Sequence, residues 1–253
     1  GTLTPPREHL DYSLVETLSE LCRHAEIGIV SGSDYDYIMQ QCGFLTQKDD
    51  IKLKMHILPC NGTKHCAPPS YKHQNYKMIC SKDMRSKIGG AKFHAMMKRL
   101  VDYQNHIVSH YEIPLTGHFI SYRTSLINWC PIGRNALNSD RERFVDFDKS
   151  FGSTTFRETV LQQMEEEFKN AKIPVTVKLG GETSFDIYPN GWDKTLALSL
   201  FQGYEIYFVG DRCGEGGNDK AIYDRLQPDN SFWVKDTKET KKIIKEVIIP
   251  RVK

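Results

Sequence analysis

The sequence predicts an α/β protein: a mostly parallel sheet, covered on both faces, interrupted by an inserted α+β domain. Three observations predict it. Two short apolar runs, Ile27-Gly28-Ile29-Val30 and the stretch 204–209, end in small polar or acidic residues, Ser31-Gly32-Ser33-Asp34 and Gly210-Asp211. That is the pattern of buried parallel strands whose carboxyl ends gather ligands. Between them, helical periodicity alternates with period-two strands that lack the crossover helices of βαβ units. Finally, 253 residues with 39% hydrophobic content can fill the core of one large domain or two smaller ones.

Taken in order, Leu14, Leu18, Leu21 and Cys22 at helical spacing predict a helix ahead of the first strand. Past Val30, the hydroxyl of Ser31 and the backbone N–H groups around Gly32 suit a phosphate, while Ser33 or Asp34 would equally cap the next helix. Asn61-Gly62-Thr63 matches a glycosylation sequon but reads as a tight turn. Cys60, His65, Cys66, His73 and Cys80 include no CxxC or HxxxH pair, so their segment reads as a loop rather than a zinc site.

Phe93, Met96, Met97, Leu100, Val101, Ile107 and Val108 then mark one long helix; Phe156, Val160, Leu161, Met164 and Phe168 mark another. Glu165-Glu166-Glu167 forms the solvated face of the second. The stretches 119–129, 175–179 and 185–188 alternate like half-exposed strands, so a small antiparallel sheet backed by two helices is expected. The domains predicted are 1–83 and 188–253 for the core and 84–187 for the insert. The loops after Val30 and Val209 should share one rim of one sheet.

Lys+Arg 34 against Asp+Glu 32 leaves a charge of +2, which points to neither a nucleic-acid partner nor an acidic tail. No apolar run approaches the roughly 20 residues of a membrane span, and residues 1–8 do not resemble a secretion signal. Seven irregularly spaced cysteines fit reduced thiols and a cytoplasmic location. The chain starts without Met in a loop-like Gly1-Thr2-Leu3-Thr4-Pro5-Pro6, so a native start upstream is expected.

The candidate chemistry is oxygen-rich. Asp211 and, eight residues on, Asp219 in a Gly-rich loop suit Mg²⁺, although Asp211 would equally cap the following helix. Arg123 on a predicted strand, Arg134 after Pro131-Ile132-Gly133, and Arg141 at a polar helix start would form a phosphate clamp if they converge; singly, each reads as a surface or ion-pair residue. Lys194 opens a helical stretch, where a lysine is ordinarily solvated.

Six motifs occur together and in order: Gly1-Thr2-Leu3-Thr4-Pro5-Pro6-Arg7; Ile27 through Asp34; Pro131-Ile132-Gly133-Arg134; Gly180-Gly181 with Ser184-Phe185-Asp186; Gly191-Trp192-Asp193-Lys194; and Gly210-Asp211 with Gly216-Gly217-Asn218-Asp219. Over nearly its whole length the chain resembles the eukaryotic-type phosphomannomutases of the haloacid dehalogenase superfamily. The resemblance implies a Rossmann-like core, lacking its first strand as given, and an α+β cap. It implies interconversion of mannose 6-phosphate and mannose 1-phosphate for GDP-mannose synthesis, through a phospho-aspartate and a bisphosphate intermediate, with Mg²⁺ and a hexose bisphosphate activator. It also implies a homodimer formed through the cap.

Position by position, the resemblance makes Arg7, Arg123, Arg134, Arg141, Ser184 and Asp186 substrate residues, and Ser31 and Gly32 phosphate-binding ones. Lys194 would steady the phospho-aspartate; Asp211, supported by Asp219, would bind metal; the Tyr223 carbonyl, with Asp224 beside it, would help hold a further cation. The sequence departs from the family in two places. The family's Asp-x-Asp, nucleophile and acid/base, precedes Gly-Thr-Leu-Thr and would lie upstream of Gly1, which makes the chain as given an inactive fragment. Cys60 stands where the family has Glu, and residues 65–84 have no clear counterpart, which bears on the hinge and on substrate choice. Two further readings are a sugar-phosphate phosphatase of the same superfamily and a non-catalytic sugar-phosphate-binding protein.

Overall fold

The computed structural model describes residues 1–5 and 10–253. By chain order its strands are β1 (Ile27–Val30), β2 (Met55–Leu58), β3 (Lys64–Ala67), β4 (Lys77–Ser81), β5 (Ile120–Tyr122), β6 (Ile127–Trp129), β7 (Val175–Gly180), β8 (Ser184–Pro189), β9 (Phe208–Gly210) and β10 (Ser231–Trp233). The chain divides into two units, Gly1–Ser81 with Trp192–Lys253, and Lys82–Gly191.

In the first unit β1 and β2 pair in parallel, Ile27 opposite Met55, and β3 and β4 extend the sheet antiparallel in the order β1-β2-β3-β4. The helix Tyr12–Leu21 starts where the Asp11 carboxylate accepts the Ser13 N–H at 2.8 Å. It buries Leu14, Val15, Leu18 and Leu21 in a cluster shared with Ile38, Leu45, Ile51, Met55 and Ile57, each such side chain contributing about 1.5–3 kcal/mol of transfer free energy.

The expected single rim is corrected here. β9 pairs in parallel with β10, Phe208 opposite Ser231, in a separate two-stranded sheet, and among the described residues no strand joins β9 to β1. The two parallel pairs still adjoin one cluster, where Val30 packs with Phe208, Cys213 and Ile222. The apolar run at 204–209 yields a strand only from Phe208, because a turn in which Tyr204 N–H donates to the Phe201 carbonyl leaves Tyr204 exposed.

The second unit is a four-stranded antiparallel sheet, order β5-β6-β8-β7, with helices Gly90–His110, Asn138–Lys149 and Phe156–Asn170. Period two sorts its faces. Trp129 opposite Phe185 and Ile127 opposite Ile187 make apolar rows, with the Trp129 and Phe185 rings stacked at 4.9 Å. The intervening row, Ser121, Asn128, Asp186 and Lys178, is polar across all four strands. β8 is therefore not half-exposed as its alternation suggests; it is buried on both faces, because its polar residues enter a hydrogen-bonded network. The stretch 119–129 is a hairpin rather than one strand: Arg123 N–H donates to the Leu126 carbonyl, so Arg123 sits at the turn and not on a strand.

Candidate active site

In the first unit the rim after β9 holds two carboxylates in different states. Asp219 is buried and accepts the Lys194 ammonium at 2.5 Å and the Arg212 N–H at 3.1 Å, so its charge is matched by a cation and a backbone dipole. Lys194 opens a 3₁₀ turn, Lys194–Leu200, capped by Asp193; contrary to the solvated expectation, it is buried by this pairing. Asp211 keeps its side chain 26% exposed and takes a hydrogen bond from the Thr2 hydroxyl at 2.6 Å. It caps no helix, since Lys220–Arg225 begins after Asp219. Gly1 approaches Asp211 so closely that a Cβ there would lie 2.1 Å from a carboxylate oxygen. Burial, with both carboxylates adding to it, pushes the Cys213 thiol up to about 12, which keeps it protonated.

The loop after β1 is held from β2. Asn61 N–H donates to the Ser31 carbonyl at 2.8 Å and Cys60 N–H to the Ser33 carbonyl at 2.9 Å. To do this Cys60 and Asn61 adopt φ of 50° and 62°, left-handed values that are costly for residues with a Cβ. The Ser31 hydroxyl accepts the Ser33 N–H at 3.1 Å, closing a small turn around Gly32. Asp34 caps the helix Tyr35–Cys42 and is gripped by Lys64 at 2.8 and 2.9 Å.

In the second unit the polar row has a buried amide at its centre. Asn128 donates to Asp186 at 2.8 Å and to the Ser184 hydroxyl at 3.0 Å, while its carbonyl oxygen accepts Arg134 at 2.7 Å. Ser184 donates onward to the Gly180 carbonyl at 2.6 Å. Gly133, at φ 89°, turns the chain toward Arg134, and a Cβ there would meet the Gly117 carbonyl at 2.2 Å. Arg141 donates to the Thr183 hydroxyl at 2.9 Å. One amide thus links Arg134, Ser184 and Asp186, and Arg141 meets the adjoining hairpin tip. Arg123 is buried at the β5–β6 turn, and Arg7 lies outside the described residues.

Asn128, Thr183 and Thr2 escape the sequence reading. Asn128 had a legible signal, a lone amide between Ile127 and Trp129 on an alternating strand; the other two are short hydroxyl residues whose partners are distant in sequence. The Tyr223 carbonyl accepts the Ser231 hydroxyl at 2.9 Å, and Asp224 pairs with Lys220 on the surface. Among the described residues no three of His, Cys, Asp and Glu gather as a metal cluster.

The family model for eukaryotic phosphomannomutase matches residues 14–250. A phosphomannomutase from Solanum lycopersicum is 32% identical over 226 residues, covering 88% of this chain and 82% of that protein. Among solved structures, the N-terminally truncated, IMP-bound IMP-nucleotidase of Plasmodium falciparum superposes with a TM-score of 0.65 at 14% identity, over 98% of this chain and 65% of that longer one. A trehalose-6-phosphate phosphatase related protein gives 0.55 at 15% identity, over 100% of this chain and 95% of that one. These two show the fold alone.

Proposed function

The chain belongs to the eukaryotic phosphomannomutase family, and from that membership we propose that it interconverts mannose 6-phosphate and mannose 1-phosphate. The observation that carries the reading is the Asn128 network, which supports Arg134 as a phosphate ligand and Asp186 and Ser184 as sugar or phosphate contacts. Arg141, Arg123 and Arg7 complete the substrate set in this reading. Ser31 and Gly32 contact the transferring phosphate, and Lys194 steadies its aspartyl acceptor.

In the forward half-reaction the bond from phosphorus to the aspartyl oxygen breaks. A new bond forms to a sugar hydroxyl, and the hydroxyl proton passes to the second Asp of the pair, giving a hexose bisphosphate; the reverse transfer from its other phosphate regenerates the phospho-enzyme. The reading requires an Asp-x-Asp ahead of Gly1. Hard-oxygen chemistry favours Mg²⁺ at Asp211, whose carboxylate is partly exposed, with Asp219 in support; in this reading the Tyr223 carbonyl helps hold a further cation. When bound, that ion neutralises charge on the transferring phosphoryl group.

Val101 and Val108, exposed and two turns apart on the helix Gly90–His110, support a homodimer through the 84–187 domain. No helix among the described residues is long and apolar enough to cross a membrane, and the seven free cysteines support a cytoplasmic location.

The test is an assay of the protein, extended upstream of Gly1, with mannose 1-phosphate, Mg²⁺ and a hexose bisphosphate activator, following both mannose 6-phosphate and free phosphate. Isomerised product is expected. Phosphate release without isomer assigns a phosphatase instead, and binding without turnover assigns a sugar-phosphate-binding protein.

A further inference from the structure

A buried ion pair in the second unit is used by nothing described so far. Asp148 and Arg157 are 3% and 9% exposed, one near the end of the helix Asn138–Lys149 and the other near the start of Phe156–Asn170. The Asp148 carboxylate accepts the Arg157 backbone N–H at 2.7 Å and its guanidinium Nε at 2.9 Å. The same guanidinium donates through Nη1 to the Gly181 carbonyl at 3.1 Å. Gly181 is at the tip of the β7–β8 hairpin, at φ 56°, two residues before Thr183.

Arg141 lies on the same helix as Asp148, seven residues earlier, and seven residues is nearly two full turns, so both project from one face. The helix Asn138–Lys149 therefore holds the hairpin tip in two ways: directly through Arg141, to the Thr183 hydroxyl at 2.9 Å and the Glu182 carboxylate at 3.8 Å, and through Arg157, from Asp148 to the Gly181 carbonyl. The Arg141 contacts reach side chains of the tip, Thr183 and Glu182, whereas the Arg157 contact holds its backbone. The second anchor fixes the spacing of helix and hairpin, and with it the direction of the Arg141 guanidinium. The guanidinium meets the carboxylate with one nitrogen and the carbonyl with another in a fixed planar fork; an ammonium has a single nitrogen on a flexible stem and does not hold the two acceptors at that spacing.

We propose that Arg157 is a positioning residue for the phosphate clamp: held by Asp148, it fixes the Gly181 carbonyl so that Thr183 orients Arg141 toward a hexose phosphate. The proposal rests on the reading of Arg141 as a phosphate ligand. Burying a charged pair is otherwise weak support for stability, because desolvation offsets much of the attraction, and a positional role accounts for the choice of arginine.

The experiment is a double-mutant cycle on the full chain, with mannose 1-phosphate as the titrated probe and Arg157→Lys, Arg141→Ala and their combination as variants. Arg157→Lys keeps the charge beside Asp148, so the variant is expected to stay folded, with a melting temperature close to the parent's. It should weaken binding about tenfold where Arg141 is present and less than about twofold where Arg141 is already Ala. Equal weakening in both backgrounds, or none in either, overturns the positioning role. A parent chain that does not bind mannose 1-phosphate, or one that Arg141→Ala leaves unaffected, overturns the clamp reading itself and the inference with it. Asp148→Asn is the second variant. It should reproduce the Arg157→Lys pattern, and a loss that does not depend on Arg141 counts against the proposal.

Discussion

Two lysine–aspartate pairs in the first unit differ in almost everything but chemistry. Lys194 and Asp219 meet at 2.5 Å with side chains 9% and 5% exposed and join segments 25 residues apart. Lys220 and Asp224 meet at 2.8 Å one helical turn apart, with side chains 37% and 51% exposed. In the first pair each charge has lost water and depends on its partner; in the second, water replaces either partner at once. The difference teaches that an ion pair at this rim fixes geometry only where solvent is excluded. The buried pair also ties the Trp192–Leu200 region to the loop that carries Asp211, which a surface pair cannot do.

The largest effect should come from breaking the buried pair on one side. Asp219→Leu leaves the Lys194 ammonium without its carboxylate, and a loss of about 3–5 kcal/mol is expected in urea unfolding. Adding Lys194→Met to that variant should restore most of the loss, because no orphaned charge remains. A single variant as stable as the parent would break the comparison, since Asp219 would then be dispensable.

The polar row of the second unit extends the same argument to uncharged groups. Asn128→Leu removes the amide that links Arg134, Ser184 and Asp186, leaving buried donors and acceptors to find new partners, at about 2–3 kcal/mol. Binding of mannose 1-phosphate should weaken with it. Retained stability with lost binding would place Asn128 in recognition alone.

A smaller, pH-dependent effect is expected at His65. Its Nε2 lies 2.8 Å from His56 Nδ1, whose ring also meets Glu26 at 3.2 Å and packs edge-on against Phe201. Burial, then the neighbouring His56, lowers the His65 pKa below its usual value. The folded state therefore takes up the proton later than the unfolded one, so the contribution is full above an unfolded pKa near 6.5 and is lost as pH falls below it. Thermal melts should show a decline from pH 7 to pH 5 that His65→Asn reduces. An identical decline in the variant would remove His65 as its cause.

Much of this was legible in the sequence. Ile27-Gly28-Ile29-Val30, the helices around Leu100 and Met164, and the period-two strand at Phe185 all follow from apolar spacing alone. The hairpin at Arg123 was not, because Thr124 at φ 70° reverses the chain without a Gly or Pro to mark it. Nor was the state of Lys194, whose burial depends on Asp219 in a remote loop. Spacing identifies which residues face together on one element; partners drawn from distant elements, such as Asn128 with Ser184 or Thr2 with Asp211, leave no period to read.

The smallest effect is the one that isolates burial from charge. The Asp224 carboxylate accepts a hydrogen bond from the Lys220 ammonium at 2.8 Å, which raises the lysine above its usual pKa. Yet both side chains stay in water in the folded protein, so removing one strands no charge. Lys220→Ala should therefore shift the melting temperature by about 1 °C or less, and added salt should change parent and variant alike. If Lys220→Ala instead lowers stability as far as Asp219→Leu does, solvent exclusion is not what separates the two pairs, and the helix Lys220–Arg225 must be holding the Asp211 rim in place through Lys220.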